Sequence, residues 1–112
     1  MDVNYKSIEF DKLSRSDTIS VQTTKSNYQF SVLDPSNRKG LLSGGSLGDH
    51  AIEAFLSGMV SDDSRDFDTA ELKTGGRAVF FVESKKSVRR LITSMVTDLA
   101  VERNPISRIP GA

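Results

Sequence analysis

The sequence predicts an all-β fold, a small single-domain β-barrel or two-layer sandwich of about seven short strands, with room for one short helix. Three observations carry that expectation. Apolar and polar residues alternate with period two through 18–24, 27–33 and part of 77–83. Gly, Pro, Asn and Asp punctuate the chain at short intervals, and long stretches of helical period are missing. A chain of 112 residues holds one domain. We place that domain at residues 1–104 and a flexible tail at 105–112, where Pro105, Pro110 and Gly111 discourage regular structure.

The first candidate strand is 3–10, in which Ile8 and Phe10 alternate with Ser7 and Glu9. Residues 11–17 are polar except for Leu13 and read as a connection. The β-branched run 18–24 and the alternating run 27–33 form the clearest hairpin, with Lys25 and Ser26 at its turn. Tyr28, Phe30 and Val32 share one face of it, and Asn27, Gln29 and Ser31 the other. Residues 34–37, Asp-Pro-Ser-Asn, make a turn because proline presets φ and the Asp and Asn side chains bond their own backbone. A short strand follows at 38–43, and Gly44, Gly45 and Gly48 mark a bend or bulge.

Residues 50–60 fit two periods. Ile52, Phe55, Leu56 and Met59 make a helical stripe that Asp49 would cap, whereas Ile52, Ala54, Leu56, Gly58 and Val60 alternate; the strand-like flanks favour strand. Residues 61–68 read as an acidic loop with Phe67 alone in it, and 69–73 as a strand ending at the turn Thr74-Gly75-Gly76. The run 77–83 is apolar on both parities, which suits a central strand. Residues 88–101 are too long for one flat strand and should bend near Thr93 and Ser94 or end in a helical turn. The expected core contains Ile19, Val21, Tyr28, Phe30, Val32, Leu56, Val79, Phe81 and Ile92.

Composition narrows the function classes. There is no cysteine and a single histidine, so disulfides, thiolate zinc, iron–sulfur and multi-histidine metal sites drop out. No apolar run is long enough for a membrane-spanning helix, and the first residues lack the pattern of a secretory leader; the expected location is the cytoplasm, with no membrane partner. The formal net charge is zero, yet residues 1–71 carry seven basic against twelve acidic side chains, net −5, and residues 72–112 carry eight against three, net +5. Such asymmetry either pairs the two halves inside one fold or marks a charged partner or self-association.

Each candidate for chemistry has a plainer reading beside it. Gly40, Gly44, Gly45 and Gly48 lack both the P-loop and the dinucleotide spacing, so a structural turn is preferred. Asp62, Asp63, Asp66 and Asp68 fail the calcium-loop pattern, since Phe67 and Lys73 stand where glycine and glutamate are needed. His50 follows Asp49, but the sequence has no nucleophile elbow, and Asp34, Asp49 and Glu53 look like turn and surface carboxylates. The one dense basic cluster is Lys85, Lys86, Arg89 and Arg90, at the tip of an expected hairpin, with Arg77 nearby and Arg103 and Arg108 in the tail. That tip could hold phosphates of a nucleic acid or an acidic protein, or simply guard a strand edge. These residues are the candidate binding site, and no cofactor is called for. The reading that results is a non-catalytic binding domain with a protein or nucleic-acid partner. The alternative is a small enzyme whose active-site carboxylates or hydroxyls the pattern does not reveal.

Overall fold

The computed structural model describes residues 3–5, 7–61, 67–69, 71–83 and 86–102. Ten strands occupy most of that chain: β1 (Val3–Tyr5), β2 (Ser7–Glu9), β3 (Thr18–Thr23), β4 (Asn27–Asp34), β5 (Lys39–Gly44), β6 (Ile52–Val60), β7 (Phe67–Asp68), β8 (Glu71–Lys73), β9 (Arg77–Glu83) and β10 (Val88–Glu102). The all-β expectation is met. Six strands are joined in a closed circuit of antiparallel pairings, β3 to β4, β5, β6, β9, β10 and back to β3. β1 adds to β10 and β7 to β6, while β2 and β8 form a separate two-stranded sheet.

A single hydrophobic cluster unites these elements, with Ile19, Val21, Phe30, Val32, Leu42, Leu56, Phe80, Val96 and Leu99 at its centre. Alternation explains most of it, because β3 and β4 bury every second side chain and expose or half-expose the rest. The rings of Phe30 and Phe80 meet at 5.6 Å between centroids, tilted by 48°. Ile8 of β2, Phe10, Leu13 and Leu72 of β8 belong to the same cluster, so the small sheet shares the one core.

The β3–β4 turn is built by Thr23. Its hydroxyl donates to the Ser26 carbonyl at 2.8 Å and accepts the Ser26 and Lys25 amides at 2.9 and 3.3 Å. Between β4 and β5, Pro35–Asn37 forms a 3-10 turn closed by Arg38 in the left-handed region, φ 55°. Asp34 accepts hydrogen bonds from Asn37 Nδ2 at 2.7 Å and Ser36 Oγ at 2.8 Å. The Asn37 bond first, and the Ser36 bond after it, hold the Asp34 carboxyl below the ordinary aspartate range. A pKa depressed in the folded chain means that the turn's contribution is present above the unfolded value and lost as pH falls through the folded one. Replacing Asn37 with Ala should move the Asp34 midpoint upward in a carbonyl-carbon NMR titration; an unmoved midpoint would show that the bond does not form in solution.

The other sequence expectations divide by cause. Residues 52–60 are strand, not helix. Gly44, Gly45 and Gly48 all take positive φ around a 3-10 turn at Gly45–Leu47, as a bend requires. The N-terminal segment is not one strand: β1 pairs with β10, β2 with β8, and Phe10–Lys12 is a 3-10 turn. Phe67 is not in a bare loop, because β7 adds to the end of β6 with Val60 opposite Phe67. β6 has a register shift at Leu56/Gly58, and a Cβ on Gly58 would run into the Asp68 carbonyl and lie 3.1 Å from the Phe67 ring. Glycine there lets β7 lie close. The proposed tail at 105–112, and Asp62, Asp63 and Asp66, lie outside the described residues.

Two expected core residues are on the outside. Phe81 is only half-buried and Ile92 is 44% exposed. Across β9 the core takes Ala78, Phe80 and Val82, so Phe81 points to the opposite face. Ile92 stands opposite Val79 and thus shares the outer face with Phe81.

Candidate functional site

The basic cluster sits where β9 turns into β10. Lys86, Arg89 and Arg90 are exposed, while Lys85 lies outside the described residues, as do Arg103 and Arg108. Arg77 is not nearby: it begins β9, opposite Val60 and Met95, at the far end from this turn. No ion pair engages Lys86, Arg89 or Arg90 among the described residues; the acidic residue in register with them is Glu83, opposite Val88.

Alternation divides the arm between two faces. Val88, Arg90 and Ile92 stand opposite Glu83, Phe81 and Val79, whereas Arg89 and Leu91 stand opposite Val82 and Phe80, on the side that turns toward the core. On the outer face, Ser57, Val60, Phe67, Val79, Phe81, Arg90 and Ile92 line a shallow apolar cavity of about 330 Å³. Phe67 is 51% exposed at its rim. Phe55 extends the same row as the neighbour of Phe81, and Lys39 Nζ lies 5.5 Å from its ring centroid. The outer face of β3 and β4 is different, offering Ser20, Gln22, Asn27 and Gln29, with Leu33 its one exposed large apolar side chain among the described residues. Apolar exposure is therefore concentrated beside the basic arm.

β10 is long enough to serve two neighbours because it is bent. Its register against β9 slips between Ile92 and Met95, one extra residue being accommodated at Thr93 and Ser94, where the sequence predicts the bend. Thr93 is buried, and its hydroxyl accepts the Ala78 amide at 3.0 Å while donating to the Ser94 carbonyl at 2.7 Å. Past the bulge, Val96 exchanges backbone bonds with Gly75 and Gly76, which lead into β9, whereas the Met95 carbonyl accepts the Thr24 amide at the end of β3. Adjacent residues thus point to opposite neighbours, so β9 and β3 flank β10 on opposite sides.

The remaining candidates lie elsewhere on the surface. Asp34 is the turn carboxylate described above, and Glu53 lies 3.8 Å from Lys39 on the surface. Asp49 and His50 are exposed in the turn after Gly45–Leu47. Asp68 pairs with Lys73 at 3.4 Å, and Glu71 pairs with the same ammonium at 3.3 Å; Glu71 and then Asp68 raise the Lys73 pKa. No group of three potential metal ligands occurs among the described residues, and no helix among them is long and apolar enough to cross a membrane. The sequence located the charge of the site but not the apolar face beside it; the signal it did carry was the double-parity run 77–83. Compared with protein families, curated proteins and solved structures, the chain finds no match.

Proposed function

We propose that the chain is a small non-catalytic binding domain, its closed circuit of strands a small β-barrel, and that it acts through a protein partner held against the outer face of β6, β9 and β10. The observation that carries this reading is the contrast between the two outer faces. Phe67, Phe81, Ile92 and Val60 gather around one cavity beside Arg90, while the β3–β4 face is polar apart from Leu33. A contiguous apolar patch rimmed by charge is what an association surface presents to a partner.

A photo-crosslinking residue placed at position 67 or 92 should trap a protein in native cells, and the same group at position 22 on the polar face should not. Equal trapping at all three positions, or none at any, would overturn the assignment. Nucleic acid is the second reading, favoured by Phe55, Phe67 and Phe81 lying on the face that also carries Lys39 and Arg90. Cross-links from 67 to oligonucleotide instead of protein, with binding that falls steeply with salt, would establish it.

A further inference from the structure

Among the described residues, the bend of β10 leaves a strand edge unpaired. β3 covers β10 from Val96 to Glu102, and its last contact is the Thr24 amide on the Met95 carbonyl. The chain then turns back through Lys25 and Ser26 into β4. On that side, β10 between Val88 and Ser94 has no neighbouring strand among the described residues; β9 occupies the other side. A strand edge presents a row of amides and carbonyls ready to pair with any extended segment of matching side chains.

We propose that this edge takes an acidic, extended peptide segment of a partner protein as an added strand, a reading that rests on the binding-domain assignment above and specifies its ligand. The side chains set the pattern. Along the outer face the edge reads Val88, Arg90, Ile92, the first 62% and the last 44% exposed, and Arg89 projects to the other face. An added antiparallel strand would place apolar residues beside Val88 and Ile92 and carboxylates beside Arg90 and Arg89. The order that fits, from its N-terminus, is apolar, any residue, acidic, acidic, apolar.

A second copy of this chain fits poorly. Antiparallel pairing of two β10 edges about Leu91, the centre of 88–94, would set Arg90 opposite Ile92 and Arg89 opposite Thr93 of the other copy, leaving both arginines without a carboxylate. Pairing centred between Arg89 and Arg90 would set the two opposite each other, and like charges directly opposite are destabilising. In neither register does a second copy offer the arginines an acidic partner, whereas a carboxylate-bearing strand is complementary to both. Polyanionic nucleic acid would answer the charge but not the alternating row of amides and carbonyls or the two apolar neighbours.

The test uses the full chain and a capped peptide carrying Val-Thr-Glu-Glu-Val flanked by Ser and Thr. Binding should slow hydrogen exchange at amides between Val88 and Ser94. Methylating backbone nitrogens at alternate peptide positions should abolish binding in one register and spare it in the other, which side-chain contacts alone would not do. The double substitution Arg89→Glu, Arg90→Glu, both sites exposed, should weaken the peptide at least about tenfold and let a Val-Thr-Lys-Lys-Val version bind in its place. Failure of the peptide to bind, indifference to the methylation register, or displacement by oligothymidylate would each overturn the proposal. If cross-links from positions 67 and 92 persist while the edge amides stay unprotected, only this inference fails; if both are absent, the binding-domain reading fails with it.

Discussion

Replacing Phe30 with Ala is expected to destabilise the fold by about 3 to 5 kcal/mol in urea or guanidinium denaturation, the largest effect of any substitution considered. Phe30 is 1% exposed in the middle of β4, flanked across the sheet by Ile19 of β3 and Leu42 of β5, both fully buried. Its ring also reaches Phe80 of β9, which is not hydrogen-bonded to β4. The side chain therefore spans the interior from one part of the circuit to another, and truncation removes contacts on both. Collapse is restricted because Gly40, directly opposite Val32, already lies within contact of the ring: a Cβ there would come to 2.8 Å from its Cζ. A cavity lined by paired strands cannot close without breaking ladder bonds, so the cost should fall in the upper range for aromatic deletions. A loss below about 1 kcal/mol would mean that β4 is one residue out of register, since such a slip turns Phe30 to solvent.

Phe30 was readable in the sequence for the reason that makes it stable. In 27–32 the apolar residues occupy one parity only, and Leu33 alone departs from it, so the strand has one face fit to be buried. The run 77–83 offers no such choice. Val79 and Phe81 are as apolar as Ala78, Phe80 and Val82, and only the tertiary pairing with β6 and β10 decides which set meets the core. The nearly symmetrical pattern has a physical meaning, because the second set is covered in part: Val79 is 2% exposed under its neighbours, while Phe81 and Ile92 remain open at the surface. Ile92 was misplaced for a related reason. The bulge at Thr93 and Ser94 inserts a residue into β10, so a parity carried from one end of the strand does not hold at the other.

The candidate site divides along the same line. The basic residues of 85–90 are a local property and were legible one by one. The edge beside them, unpaired among the described residues, is not local. It arises because β3 ends at Thr23 while β10 runs on to Val88, a mismatch in length between strands brought together from opposite ends of the chain. β7 was missed in the same way: two residues carry too little pattern to announce a strand, and the partner, Val60, is supplied by the end of β6. What the sequence could not show was where one strand runs past another.

That overhang depends on the bend, and Thr93→Val should test it with a substitution that changes little but a hydroxyl. Thr93 is 2% exposed, and its oxygen accepts the Ala78 amide at 3.0 Å in place of a ladder partner. Valine keeps the β-branched shape and strand propensity but leaves that amide buried without an acceptor, at a cost of about 1 to 3 kcal/mol. It also removes the donor to the Ser94 carbonyl, so both bonds that hold the extra residue are lost together. Hydrogen exchange at Ala78 should quicken by more than the global loss of stability explains, because opening there no longer breaks a bond. Thr93→Ser keeps the hydroxyl and removes a methyl, and should therefore restore slow exchange at Ala78 while costing about 1 kcal/mol in packing. If valine is as stable as threonine, or if serine and valine behave alike at Ala78, then backbone pairing alone sets the bulge. The bend that frees the edge of β10 would then owe nothing to Thr93.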